Sequence, residues 1–131
     1  MRIVSVLVAV DTENALASGD LQNNVYLMDN NKYMGSYGEG TSELVTEIND
    51  GQLIKWKVTS IVPENQVQIV NFFGQAPNEG VIRPVKQGFG GESVWEARVE
   101  ARGQAGTYQY SMTLSFDGRE MAFDPFLRVV E

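Results

Sequence analysis

From Tyr108 to Phe116 the chain reads Y-Q-Y-S-M-T-L-S-F, with Tyr108, Tyr110, Met112, Leu114 and Phe116 alternating against Gln109, Ser111, Thr113 and Ser115. Successive side chains of a strand point to opposite faces, so a period of two held this long marks a strand with one face buried. Asp117-Gly118 follows. That dipeptide suits a two-residue type I′ turn, in which both central residues take positive φ. The chain returns through Met121 to Phe123 and, past Asp124-Pro125, through Phe126 to Val130, which predicts a C-terminal antiparallel hairpin.

The same period recurs upstream. In Leu53 to Ile61, Ile54, Trp56 and Val58 alternate with Lys55, Lys57 and Thr59; in Trp95 to Arg102, Trp95, Ala97, Val99 and Ala101 alternate with Glu96, Arg98, Glu100 and Arg102. Val25 to Met28, Val67 to Phe73 and Val81 to Val85 read as further strands. The run Ile3 to Val10 has no polar alternation and reads as a fully buried strand. It is far below the ~20 residues of a membrane span, and it ends at Asp11-Thr12-Glu13 without a small-residue cleavage site, so a cytoplasmic product is expected. Thr12 to Ser18 suits one short helix capped by Asp11 or Thr12. Short strands parted by Gly, Asn, Asp and Pro clusters predict an all-β fold, an antiparallel β-sandwich of Ig-like or jelly-roll-like form with at most one short helix. With 131 residues the chain suits a single domain spanning 1–131.

Composition narrows the chemistry. There is no histidine and no cysteine. Imidazole bases, thiolate nucleophiles, Ser-His-Asp systems and the usual zinc and copper sites are closed to the chain, and no enzyme, cofactor or metal is expected. The formal charge of −7 opposes binding to nucleic acid, whose affinity comes from Lys and Arg, and to anionic membrane surfaces.

One stretch concentrates the remaining candidates. Asp29 to Leu44 reads D-N-N-K-Y-M-G-S-Y-G-E-G-T-S-E-L. Tyr26 just before it, Tyr33 and Tyr37 form an aromatic set, the last two among glycines, and an aromatic face beside amides and carboxylates suits a sugar ring. Asp29, Asn31, Tyr33, Tyr37 and Glu39 are the candidate ligand or interface residues. The plainer reading is a string of turns. Asp11, Glu13, Asp20, Asp29, Asn30 and Asn31 offer oxygens of the kind calcium takes, but lack the spacing of an EF-hand loop and read better as Asx turns. Carboxylate pairs such as Glu39 with Glu43, or Asp11 with Glu13, could serve glycosidase chemistry; with 17 acidic residues such pairs arise by chance. The glycine runs Gly35 to Gly40 and Gly88 to Gly91 lack the spacing of nucleotide-binding loops and read as positions of positive φ or close approach. Trp56 and Trp95 read as core.

Three longer blocks carry a resemblance: V-L-V-A-V-D-T-E-N-A-L (Val6 to Leu16), Leu21 to Leu44, and D-G-Q-L-I-K-W-K-V (Asp50 to Val58). P-E-N-Q-V-Q-I (Pro63 to Ile69) and the ending G-T-Y-Q-Y…D-G…F-D-P-F-L-R-V continue it. In these the chain resembles the AidA/PixA family of bacterial inclusion body proteins. The resemblance implies a small bacterial β-sandwich, non-enzymatic, found in cytoplasmic inclusions or in quorum-regulated, host-related physiology, and no catalytic residues. A homo-oligomer, dimer or higher, is the expected partnership, since an antiparallel sandwich offers edges and flat faces to a second copy. A lectin-like module using Asp29 to Leu44, with a glycan as partner, is the alternative.

Overall fold

The computed structural model describes residues 2–88 and 94–131. Among the described residues the strands and short helical segments run β1 (Val4–Val10), α1 (Thr12–Ser18), β2 (Val25–Asp29), a 3-10 turn (Lys32–Met34), β3 (Val45–Asn49), β4 (Leu53–Ser60), β5 (Gln68–Phe73), α2 (Gln75–Asn78), β6 (Val85–Gln87), β7 (Val94–Arg98), β8 (Gly106–Gln109), β9 (Ser111–Phe116), β10 (Arg119–Phe123) and β11 (Phe126–Val130). The expected all-β class is what the chain adopts.

A five-stranded sheet, ordered β2-β1-β4-β7-β6, forms one layer. Against it lie two three-stranded sheets, β10-β9-β5 and β3-β11-β8. One continuous core joins them, from Val4, Val6 and Val8 through Ile54 and Trp56 to Met112, Leu114 and Leu127. Most pairings are antiparallel, but β1 pairs with β4, and β3 with β11, in parallel. Alternation reports which face is buried, and the direction of a neighbour leaves no mark in it.

Several elements follow their local chemistry. Asp11 caps α1, its carboxylate accepting from the Asn14 N–H at 3.2 Å, and Gly19 ends the helix at φ 72°. Asp117 and Gly118 take φ of 51° and 74°, and Phe116 opposes Arg119 across the turn as a two-residue hairpin requires. Ile54, Trp56 and Val58 are buried, and so are Ala97, Val99 and Ala101.

Four expectations need correction. The run Ile3 to Val10 is not fully buried: Val4, Val6, Val8 and Val10 enter the core, Ser5 is exposed, and Leu7 and Ala9 are partly so, giving the five-stranded sheet an apolar outer row. Val81 to Val85 is not a strand. Val81 and Ile82 are buried as an irregular segment after α2, and Pro84, which has no N–H for a ladder, delays pairing until β6. A second helical turn, α2, lies beyond the single one expected. The strand over Tyr108 to Phe116 is two strands, β8 and β9, feeding different sheets.

Tyr110 sits at that division. It is fully buried, and its hydroxyl accepts from the Trp56 indole N–H at 3.1 Å. The rings of Trp56 and Tyr110 meet edge-on at 5.8 Å, Phe72 lies 4.6 Å from Trp56, and Trp95 lies 5.5 Å from Phe72. This aromatic group ties β4 and β7 of one layer to β5 and the β8–β9 junction of the other. Burial pushes the Tyr110 phenol far above its ordinary range, so it remains a neutral hydrogen-bonding group. Tyr110→Phe leaves the Trp56 N–H buried without its acceptor and is expected to cost about 1–3 kcal/mol in urea unfolding; an unchanged midpoint would show that the bond contributes nothing.

A second tie is a pair of charge-assisted hydrogen bonds. The Asp50 carboxylate, in the turn between β3 and β4, accepts from the Gly103 N–H at 2.9 Å and the Ala101 N–H at 2.8 Å. These bonds, that from Gly103 foremost, hold its pKa below the ordinary value. A depressed carboxylate contributes stability above its unfolded pKa, near 4, and loses it as pH falls through the folded value. Asp50→Asn should therefore lower Tm at pH 7 and reduce the fall in Tm between pH 5 and pH 2; equal acid sensitivity in both proteins would refute the assignment.

Candidate functional site

The stretch from Asp29 to Leu44 begins as a clamp. Asn30 prolongs the β1–β2 ladder with its side chain, accepting from the Ser5 N–H at 2.9 Å and donating to the Ile3 carbonyl at 3.2 Å. Asp29 turns the chain. One carboxylate oxygen accepts from the Asn31 N–H at 2.8 Å, an Asx turn, and the other from the Thr46 hydroxyl at 2.8 Å. Asn31 is buried; its amide donates to the Glu47 carbonyl and accepts from the Arg2 guanidinium at 2.6 Å. Asp29 and Asn31, two of the candidate ligand residues, thus have polar atoms committed to holding β3 beside the end of β2.

The glycines after it permit close approach. At Gly35, with φ 126°, a Cβ would lie 2.7 Å from a Glu47 carboxylate oxygen. Beyond it, Tyr37 pairs with Val45 through two backbone bonds of 2.8 and 3.0 Å, extending the β3 sheet. Gly40 and Thr41 then reach the opposite layer: the Gly40 N–H donates to the Leu27 carbonyl at 2.6 Å, and the Leu27 N–H to the Thr41 carbonyl at 3.3 Å. The stretch covers the free edge of β2 and crosses to β3, closing one side of the sandwich.

Both tyrosines face outward, in different surroundings. Tyr33, on the 3-10 turn, is 93% exposed. Tyr37 is 57% exposed and borders an open cleft of about 530 Å³ with Tyr26, Gln22, Asn23, Thr41 and Glu43. Tyr33 is not part of that cleft. Glu39 stands apart as well, in an exposed ion pair with Lys32 at 3.5 Å, of a kind worth at most about 1 kcal/mol. The structure therefore brings Tyr37 together with Tyr26, which β2 turns outward opposite Ala9, and does not bring it together with Tyr33, Asp29, Asn31 or Glu39. Tyr26 stands in a strand that the sequence predicts, Val25 to Met28, but V-Y-L-M has no polar alternation to say which side chains face outward. The parts of Gln22, Asn23 and Glu43 had no signal, because a loop crossing between layers sets them.

The other candidates resolve into local roles. Asp11 is the helix cap, and Asp20 accepts from the Asn23 amide at 2.6 Å. Except for Gly88, the run Gly88 to Gly91 lies outside the described residues. Among the described residues no helix is long and apolar enough to cross a membrane.

The family model "Domain of unknown function (DUF8788)" matches residues 2–122. The chain belongs to this family. No curated protein matches it significantly. Among solved structures, this family member is similar to the inclusion body protein PixA from Burkholderia cenocepacia J2315, with a TM-score of 0.71 over 98% of this chain and 94% of that one at 13% identity. That likeness shows a shared fold. A cysteine protease inhibitor from Entamoeba histolytica (TM-score 0.35, 15% identity, 66% of this chain and 86% of that one) overlaps in part. So does an endo-fucoidan hydrolase of glycoside hydrolase family 107 (TM-score 0.39, 10% identity, 66% of this chain and 12% of that one). Overlaps this partial carry no functional argument.

The division of the stretch into clamp and exposed rings has a measurable form. Asn31→Ala strands the Arg2 and Glu47 partners and should cost about 1–3 kcal/mol in urea unfolding. Tyr33→Ala should stay within about 0.5 kcal/mol of the parent. Equal costs would contradict the division.

Proposed function

We propose that this chain is a non-enzymatic, self-associating protein of the bacterial inclusion-body type, AidA/PixA-like, that assembles from homo-oligomers in the cytoplasm. The observation that carries the reading is the agreement of fold with an inclusion body protein over nearly the whole of both chains. A surface suited to packing supports it. On the outer face of the five-stranded sheet Leu7, Met28 and Val94 line a hollow of about 410 Å³ flanked by Lys55 and Lys57. The hollow offers apolar ground and positive charge on a chain of net charge −7, so the acidic remainder of one copy is complementary to this face of the next. Repulsion between like-charged copies opposes packing at neutral pH and weakens as carboxylates protonate or salt screens them. Quorum-regulated production in a host setting belongs to the same proposal, and its sign would be accumulation of the protein in dense but not sparse cultures.

A second reading, sugar binding by the Asp29 to Leu44 stretch, is favoured by one observation: the Tyr37 ring stands open beside Tyr26 in a polar-rimmed cleft.

For assembly, light scattering should rise between pH 7 and pH 5 or on adding salt, and Met28→Lys should blunt the rise while leaving Tm within a few degrees. Flat scattering of the parent protein across that range would overturn the proposal.

A further inference from the structure

We propose that the cleft between Tyr26 and Tyr37 binds a neutral sugar ring; the inference rests on the second reading above and assigns it a place and a ligand class. The two rings are 41% and 57% exposed, far more than packing alone requires, and both belong to the same cleft. Each is carried on fixed backbone. Tyr26 lies in β2, in register with Ala9, and Tyr37 is held by its paired bonds to Val45. Between them the Gly40 and Thr41 backbone is bonded to Leu27, so the cleft is formed before any ligand arrives and little ordering entropy opposes binding.

The lining selects among ligand classes. Its volume, about 530 Å³, falls in the roughly 300–1,000 Å³ range of small-molecule sites. Among the described residues no Lys or Arg lines it, which disfavours phosphates, sulfated sugars and sialic acids. Glu43 is its one carboxylate among the described residues, and two tyrosines do not form the enclosing cage that a quaternary ammonium takes. What remains is a ligand with an apolar face for a tyrosine ring and hydroxyls around its rim. Among the described residues the side chains of Gln22 and Glu43 and the hydroxyls of Tyr26 and Tyr37 have no protein partner, which leaves donors and acceptors at the cleft for a sugar's hydroxyls. At Gly38, with φ 82°, a Cβ would lie 3.1 Å from the Glu43 carbonyl oxygen, whereas at Gly40, with φ 84°, it would meet nothing within 4 Å.

The full chain is tested on an array of neutral and acidic glycans, followed by calorimetric titration with lactose, cellobiose and maltose, and with choline as the cationic control. Neutral glycans should bind, Tyr37→Ala should weaken binding about tenfold or more, Glu43→Gln should weaken it less, and Tyr33→Ala should leave it unchanged. Circular dichroism and Tm check that Tyr37→Ala remains folded; Tyr37→Phe, which keeps the ring, should retain most of the affinity. Neutral-glycan binding removed by Tyr33→Ala and untouched by Tyr37→Ala would overturn the cleft and leave sugar binding by the stretch intact. Absence of any glycan signal at millimolar concentration would overturn both. Preference for acidic glycans or for choline would overturn the ligand class.

Discussion

Two layers of sheet have to be held in one register, and here a single buried hydrogen bond marks where that happens. The Trp56 indole donates to the Tyr110 hydroxyl at 3.1 Å in the centre of the core. Tyr110 is also the residue at which a continuous alternating segment leaves one three-stranded sheet and enters another. Fixing that side chain therefore fixes the angle between β8 and β9, and through them the placement of β11 on one side and β10 on the other. A phenylalanine would fill much of the same space. The hydroxyl adds direction, because an indole N–H excluded from water is costly to leave without an acceptor.

The long loop between β2 and β3 answers a different physical demand. A strand at the margin of a sheet presents N–H and C=O groups that another chain can capture. Gly40 and Thr41 occupy such groups on Leu27, and Tyr37 continues the sheet beside Val45. Its hydrogen bonding is scaffold, while the tyrosine rings it carries stay free of the core. A segment can thus be structural in its backbone and recognitional in its side chains, and the two roles of this stretch are divided in that way.

Much of this was readable from residues alone, and the boundary has a physical cause. The strands of Leu53 to Ser60 and Ser111 to Phe116, the cap at Asp11 and the turn at Asp117-Gly118 are local, set by side-chain period and backbone preference. The parallel pairing of β1 with β4 and of β3 with β11 is not, because it depends on how distant segments meet. β3 shows the difference well. L-V-T-E-I-N carries a short alternation that merges into a polar loop, and it becomes a strand through contact with β11. The candidate site follows the same rule. Tyr37 stood out among its glycines, whereas its neighbour Tyr26 and the Gln22–Glu43 rim are brought to it by the crossing loop.

The parallel pairing of β3 and β11 also bears on the order of events during synthesis. Val45 has Phe126 as its register partner, so β3 leaves the ribosome long before the strand that completes its sheet exists. Loop closure over so many residues is entropically slow, and until it occurs the inner edge of β3 is available to any extended chain nearby. The topology thus places its point of greatest vulnerability late in folding.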